Sequence, residues 1–174
     1  NEQKKDAIKC ILKFGTPKRV HVIKGTKYHV ASGSVHIEEQ IGEDLDTYYH
    51  NKTGQHLVSK EHGAFSTDTK LVNLAPSATK GTEFARVFHL AHHVGVSNVW
   101  MYRGTALSRA MAMLLLNKSS MLPRDKGIYG IARGHVHYYW QSKSDNHMMQ
   151  IVPCWQYQTP FQAKVSPETL PSIG

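Results

Sequence analysis

Cysteine is nearly missing from this 174-residue chain: Cys10 and Cys154 stand at opposite ends and form neither a CxxC pair nor a metal-ligand spacing. That excludes a disulfide-built scaffold and predicts two idle thiols in a reducing, cytoplasmic setting. Long apolar runs are missing too. The most apolar stretch, Ala110 to Leu116, falls far short of the roughly 18 to 20 residues that a membrane span needs. The opening NEQKKDAIKC is charged and has no apolar signal region, so nothing in it directs export. No internal repeat or low-complexity tract interrupts the chain, and its 40% hydrophobic content is that of an ordinary globular domain with a sizeable core.

Acidic residues are scarce: 13 Asp and Glu face 21 Lys and Arg, a formal charge of +8. Such a balance invites a polyanionic partner. The basic residues are scattered, however, with no dense block and no recognisable nucleic-acid signature. Histidine is the more unusual feature, with 12 copies.

Hydrophobic periodicity predicts an amphipathic helix over Glu2 to Phe14, with Ala7, Ile8, Ile11 and Leu12 at helical spacing. Arg19 to Lys24 alternates Val and Ile with polar residues and reads as a strand ending at Gly25. A second helix begins at Ser34, with Ile37 and Ile41 on one face and acids in its early turns. Leu57-Val58 and Leu71-Val72 suggest short strands. Arg86 to Ala91 is an apolar strand, Thr105 to Asn117 a helix with Thr105 as N-cap, and Gly127 to Ala132 another strand. Strand-like stretches come next at Tyr138 to Trp140 and Met148 to Val152. Alternation with a β-rich end predicts a layered α/β sandwich.

The residues that carry chemistry cluster at strand ends. Gly134-His135-Val136-His137 follows an apolar strand, and histidines two apart on extended backbone share one face. The glycine lets the chain turn tightly. His92 and His93 follow the strand Arg86 to Ala91, and Gly25-Thr26-Lys27-Tyr28-His29 follows the strand Arg19 to Lys24. Active sites of open α/β sheets gather beyond the carboxyl ends of strands, and neutral imidazoles placed there are metal ligands by chemistry. A lone G-H-x-H is weak evidence, since histidines are more often exposed or satisfied in a core; three strand-then-His junctions make the joint case.

This series is similar to the last three motifs of the calcineurin-like metallophosphoesterases, whose order is D-x-H, G-D-x-x-D, G-N-H-D/E, a lone or doubled His, and G-H-x-H. The resemblance spans Arg19 to Gln156 and is nearest to phage-type members. It implies an α/β sandwich holding two divalent metal ions (Mn, Fe, Zn or Mg), with His135, His137 and one of His92 and His93 as ligands. The choice between His92 and His93 stays open, with His93 favoured as the residue further out. His29 is the implied general acid or a ligand. The segment departs from the family pattern, because Thr26 replaces the bridging Asn and His29 comes two residues late.

The first two motifs are absent. Asp145-Asn146-His147 spells D-x-H but falls after G-H-x-H, in an expected hairpin turn. Gly42-Glu43-Asp44-Leu45-Asp46 resembles G-D-x-x-D only loosely, and both read as solvated surface segments. With Asn1 at the start, the expectation is one partial domain over residues 1–174, N-terminally incomplete and inactive alone. A carboxylate normally bridges such a metal pair, and imidazoles alone leave the charge of two dications uncompensated.

The intact protein is thus expected to be a phosphodiesterase or phosphatase in which the metals activate water and a histidine protonates the leaving oxygen. Arg103, and with it Arg109, is a candidate to hold a phosphate beside His93, although a solvated helix face is the simpler account of both. Met101, Met111, Met113 and Met121 read as core fillers, Tyr138, Tyr139 and Trp140 as sheet packing or base-stacking aromatics, and His36, His50, His56 and His62 as exposed. The rival reading is a non-catalytic, basic nucleic-acid-binding domain. A structural zinc module is disfavoured, because no cysteine joins the histidines.

Overall fold

The computed structural model describes residues 2–13, 17–25, 36–74, 86–95, 97, 99–117, 128–136, 138–144, 146–153 and 164. The chain is mixed α/β and divides into two compact units, Asn1–Thr69 and Lys70–Gly174. Among the described residues no helix is long and apolar enough to cross a membrane.

In the first unit, helix α1 (Glu2–Lys13) turns Ile8, Ile11 and Leu12 onto a core of Leu45, Leu57 and Val58. Strand β1 is short, Val22–Ile23, and pairs in parallel with β2 (Ser66–Thr67). The alternation over Arg19 to Lys24 therefore yields two strand residues plus an isolated bridge from Val20 to Val58. Helix α2 (Ile37–Thr53) has His36 at its N-cap, with no side-chain cap bond; Ser34 lies outside the described residues. It ends on Gly54, whose φ of 72° is the left-handed conformation that glycine adopts without strain. Cys10, on α1, is a free, half-buried thiol, and Cys154 lies outside the described residues.

One expectation fails here. Gly42 to Asp46 is solvated only at Glu43 and Asp44, which are exposed, whereas Gly42, Leu45 and Asp46 are buried on the inner face of α2. Asp46 Oδ1 accepts the Leu57 and Val58 amides at 2.8 and 2.9 Å, and Oδ2 meets His56 Nδ1 at 2.8 Å. Burial pushes this carboxyl up, but the bonds from Val58, His56 and Leu57 outweigh it and hold it below its ordinary value. The aspartate buttresses a chain crossing.

The second unit carries a five-stranded sheet of order β3-β4-β5-β7-β6, formed by Thr69–Leu74, Arg86–Ala91, Ile128–Arg133, Met148–Ile151 and Trp140–Lys143. Strand β4 pairs in parallel with β5, β5 in parallel with β7, and β6 runs antiparallel to β7. Ser144 receives and gives bonds at His147, between β6 and β7 where the sequence predicts a hairpin turn; Asp145 itself lies outside the described residues. Between β4 and β5 come a short 3-10 turn (Trp100–Tyr102) and helix α3 (Thr105–Leu116). Leu107 and Met111 of α3 pack with Ile128, Ile131 and Ile151 of the sheet.

The details correct several local expectations. Thr105 is the first helical residue and not the cap; Gly104 takes that place, without a side-chain bond. A side chain there has no room, since a Cβ on Gly104 would lie 2.1 Å from Trp140 Cζ2. Met111 fills the core, but Met101 and Met113 are exposed, and Met121 lies outside the described residues. Tyr138 is buried and Tyr139 exposed, because β6 starts only at Trp140.

Candidate functional site

Parallel pairing sets β4 and β5 side by side with their carboxyl ends level, since Ala91 stands opposite Arg133. The loops that leave these two strands therefore start from one edge. The Gly134 amide donates to the His92 carbonyl at 3.0 Å and fastens the two strand ends together. A Cβ on Gly134 would lie 3.3 Å from His92 Nδ1, so the glycine admits the imidazole of the neighbouring strand end.

Three imidazoles meet at this junction. The ring centroids of His92 and His135 are 5.3 Å apart, edge to face, and those of His93 and His135 are 4.8 Å apart at 51°. His93 is exposed, whereas His92 and His135 are half-buried. The tight turn expected at Gly134 falls one residue later: the left-handed residue is His135, with φ of 74°. A bulky side chain is costly in that region, of order 1 kcal/mol or more, and such conformations gather at functional sites.

Of the residues singled out in the sequence, the structure thus brings together His92, His93 and His135. His29 and His137 lie outside the described residues. Among the described residues, no group of three or more His, Cys, Asp or Glu is arranged to close on a metal ion. The donor set present is imidazole without carboxylate, which suits a soft or borderline divalent ion better than Mg²⁺.

Arg103 is half-buried, with its guanidinium 4.5 Å from the centre of the Tyr138 ring. The Tyr138 hydroxyl donates to the Arg103 carbonyl at 3.4 Å. Burial pushes the Tyr138 hydroxyl up, with the Arg103 charge pulling the other way. Arg109 is exposed on α3.

Two further polar groups, marked by no motif, lie in the strands that carry the histidines. His89 and Arg133, inside β4 and at the end of β5, are 7% and 6% exposed. In register His89 stands level with Ile131 and Ala91 with Arg133, so both side chains leave the same face of the sheet. Burial holds the His89 ring below its ordinary pKa, and the Arg133 charge adds to that; burial also lowers Arg133. A signal existed: a His within RVFHLA and an Arg closing IYGIAR are polar residues on otherwise apolar strands.

The second unit also holds most of the charge. Lys70–Gly174 carries 11 Lys and Arg against four Asp and Glu, a formal +7, whereas Asn1–Thr69 carries ten against nine, a formal +1. Comparison of the chain with protein-family models, with curated proteins and with solved structures found no match in any of the three.

Proposed function

We propose that the chain is part of a metal-dependent phosphoric ester hydrolase of the metallophosphoesterase sandwich type, with its site at the ends of β4 and β5. The observation that supports this best is the approach of the His93 and His135 rings, 4.8 Å between centroids, from two neighbouring parallel strands. A scaffold that merely binds a polyanion has no need to crowd imidazoles, which repel one another once protonated.

In this reading His135 and one of His92 and His93, with His93 favoured, would hold the metal through neutral ring nitrogens, with His137 as a further ligand and His29 as the proton donor to the leaving oxygen. Divalent ions held there would activate water and offset the charge that builds on the phosphate. The chain's own residues orient: the Gly134 amide bond to His92 ties the two strand ends together, and Arg103, whose guanidinium lies over the Tyr138 ring, would meet an anionic group in this reading.

The test is hydrolysis of a chromogenic phosphodiester by the full-length protein with added Mn²⁺, beside its His93→Ala and His135→Ala variants and their thermal melts. Metal-dependent turnover that both substitutions abolish without unfolding the protein is the expected result; activity without metal, or in both variants, refutes the proposal.

The +7 charge of Lys70–Gly174 favours a second reading, a basic nucleic-acid-binding module. Salt-sensitive binding of DNA or RNA without hydrolysis in the full-length protein would select it.

A further inference from the structure

Arg133 is a buried cation that uses two of its five N–H donors among the described residues. A guanidinium offers five N–H donors in a fixed fork. Arg133 Nη1 donates to the His89 carbonyl at 3.0 Å and to the Ala132 carbonyl at 2.9 Å. No other hydrogen bond and no ion pair engages it among the described residues. The two bonds both come from one nitrogen, so the Nε–Nη2 edge, the side that matches two oxygens of a carboxylate or phosphate, has no protein acceptor there. On the same face the buried Nδ1 of His89 likewise has no hydrogen-bond partner among the described residues.

A residue 6% exposed cannot rely on bulk water to offset its charge, and an uncompensated buried ion is among the least favourable arrangements in a fold. The acids that the second unit possesses, Glu83, Asp125, Asp145 and Glu168, all lie outside the described residues. Position completes the argument. Arg133 is the last residue of β5, at the root of the loop that presents His135, and its Nη1 grips the strand that delivers His92 and His93.

We propose that Arg133 is the oxyanion-holding residue of the histidine site, its Nε–Nη2 edge donating to two oxygens of a phosphoryl group. The inference rests on the hydrolase reading and deepens it, because it names what holds the substrate at that site, but its test requires no turnover.

The full-length protein is titrated calorimetrically with inorganic phosphate in EDTA, with acetate and chloride at matched ionic strength as controls. Wild type, Arg133→Lys and Arg133→Met are compared, and a thermal melt verifies that each is folded. Lysine keeps the charge and loses the fork, so it separates loss of recognition from loss of folding. Phosphate should bind wild type, bind Arg133→Lys about tenfold more weakly and fail to bind Arg133→Met, as expected when a charge-assisted bidentate contact is removed. Equal phosphate affinity in wild type and Arg133→Lys overturns the inference. So does wild type that ignores phosphate, which would assign the guanidinium to an internal carboxylate, and so does acetate binding as tightly as phosphate. Phosphate binding that depends on Arg133 in a protein without hydrolytic activity refutes the hydrolase reading alone; hydrolysis with an Arg133-independent phosphate affinity refutes this inference alone.

Discussion

The imidazoles of His93 and His135 lie with ring centroids 4.8 Å apart and planes inclined at 51°. They reach that distance because β4 and β5 end level, with Ala91 opposite Arg133, and because the Gly134 amide bonds to the His92 carbonyl.

The left-handed backbone of His135, with φ of 74°, makes stability and function separable. Replacing it by glycine removes the steric conflict of Cβ in that region and should raise the unfolding free energy by about 1 kcal/mol. The same change removes an imidazole from the cluster. His135→Gly should therefore melt higher than wild type while binding divalent metal more weakly, by at least about tenfold on the energy of one lost ligand. Thermal melts and metal titration check both halves; a lower melting temperature would show that the side chain relieves the conformation by contacts of its own.

Asp46→Asn should destabilise the protein by about 2 kcal/mol, since a buried acceptor of two amides and one imidazole loses its charge. The bonded carboxyl titrates below its ordinary value, so the unfolded chain takes up the proton first as pH falls. Its contribution is present above about pH 4 and is lost as pH drops through the lower, folded-state pKa. Denaturant unfolding of wild type and variant should differ at pH 7 and converge below about pH 4.

His89 imposes a second part of the pH profile, at higher pH. Its folded pKa is held below the ordinary value by burial and by Arg133, so between that value and about 6.5 the unfolded state binds the extra proton. Stability from this residue is full above about pH 6.5 and declines as pH falls below it. Melting temperatures of wild type and His89→Gln, followed from pH 7.5 to 5, should fall more steeply for wild type. Parallel curves would contradict the assignment.

The space beside Gly104 is filled by its neighbour. A Cβ there would meet Trp140 Cζ2 at 2.1 Å, and the indole packs against the core between α3 and the sheet. Gly104→Ala must displace the ring and should cost about 1 to 3 kcal/mol, despite the better helix propensity of alanine. A melt that rises on this substitution would show that Trp140 moves freely.

Legibility tracks the length of each hydrophobic pattern. Arg86 to Ala91 and the α3 segment are readable because six or more residues repeat one periodicity and bury it. The strand at Arg19 to Lys24 shrinks to Val22–Ile23, since its partner chain offers only Ser66–Thr67 and Val58 to pair with. Asp46 defeats a local reading because a buried carboxylate and a solvated one look alike until the acceptor's partners, the Leu57 and Val58 amides, are placed in space. At the site, His92, His93 and His135 are legible as residues that follow apolar strands. His89 and Arg133 are not, because their importance depends on strand register and on which carbonyls the guanidinium reaches, and no local pattern carries either.

The most direct test of the account is calorimetric titration of Mn²⁺, or Zn²⁺ where binding is tighter, into the full-length protein and into His93→Ala and His135→Ala. The account predicts saturable binding by wild type and a loss of at least about tenfold in affinity for each variant, with melting temperatures within a few degrees of wild type. Metal affinity that is unchanged in both variants would contradict it, and so would a wild-type protein that binds no divalent metal.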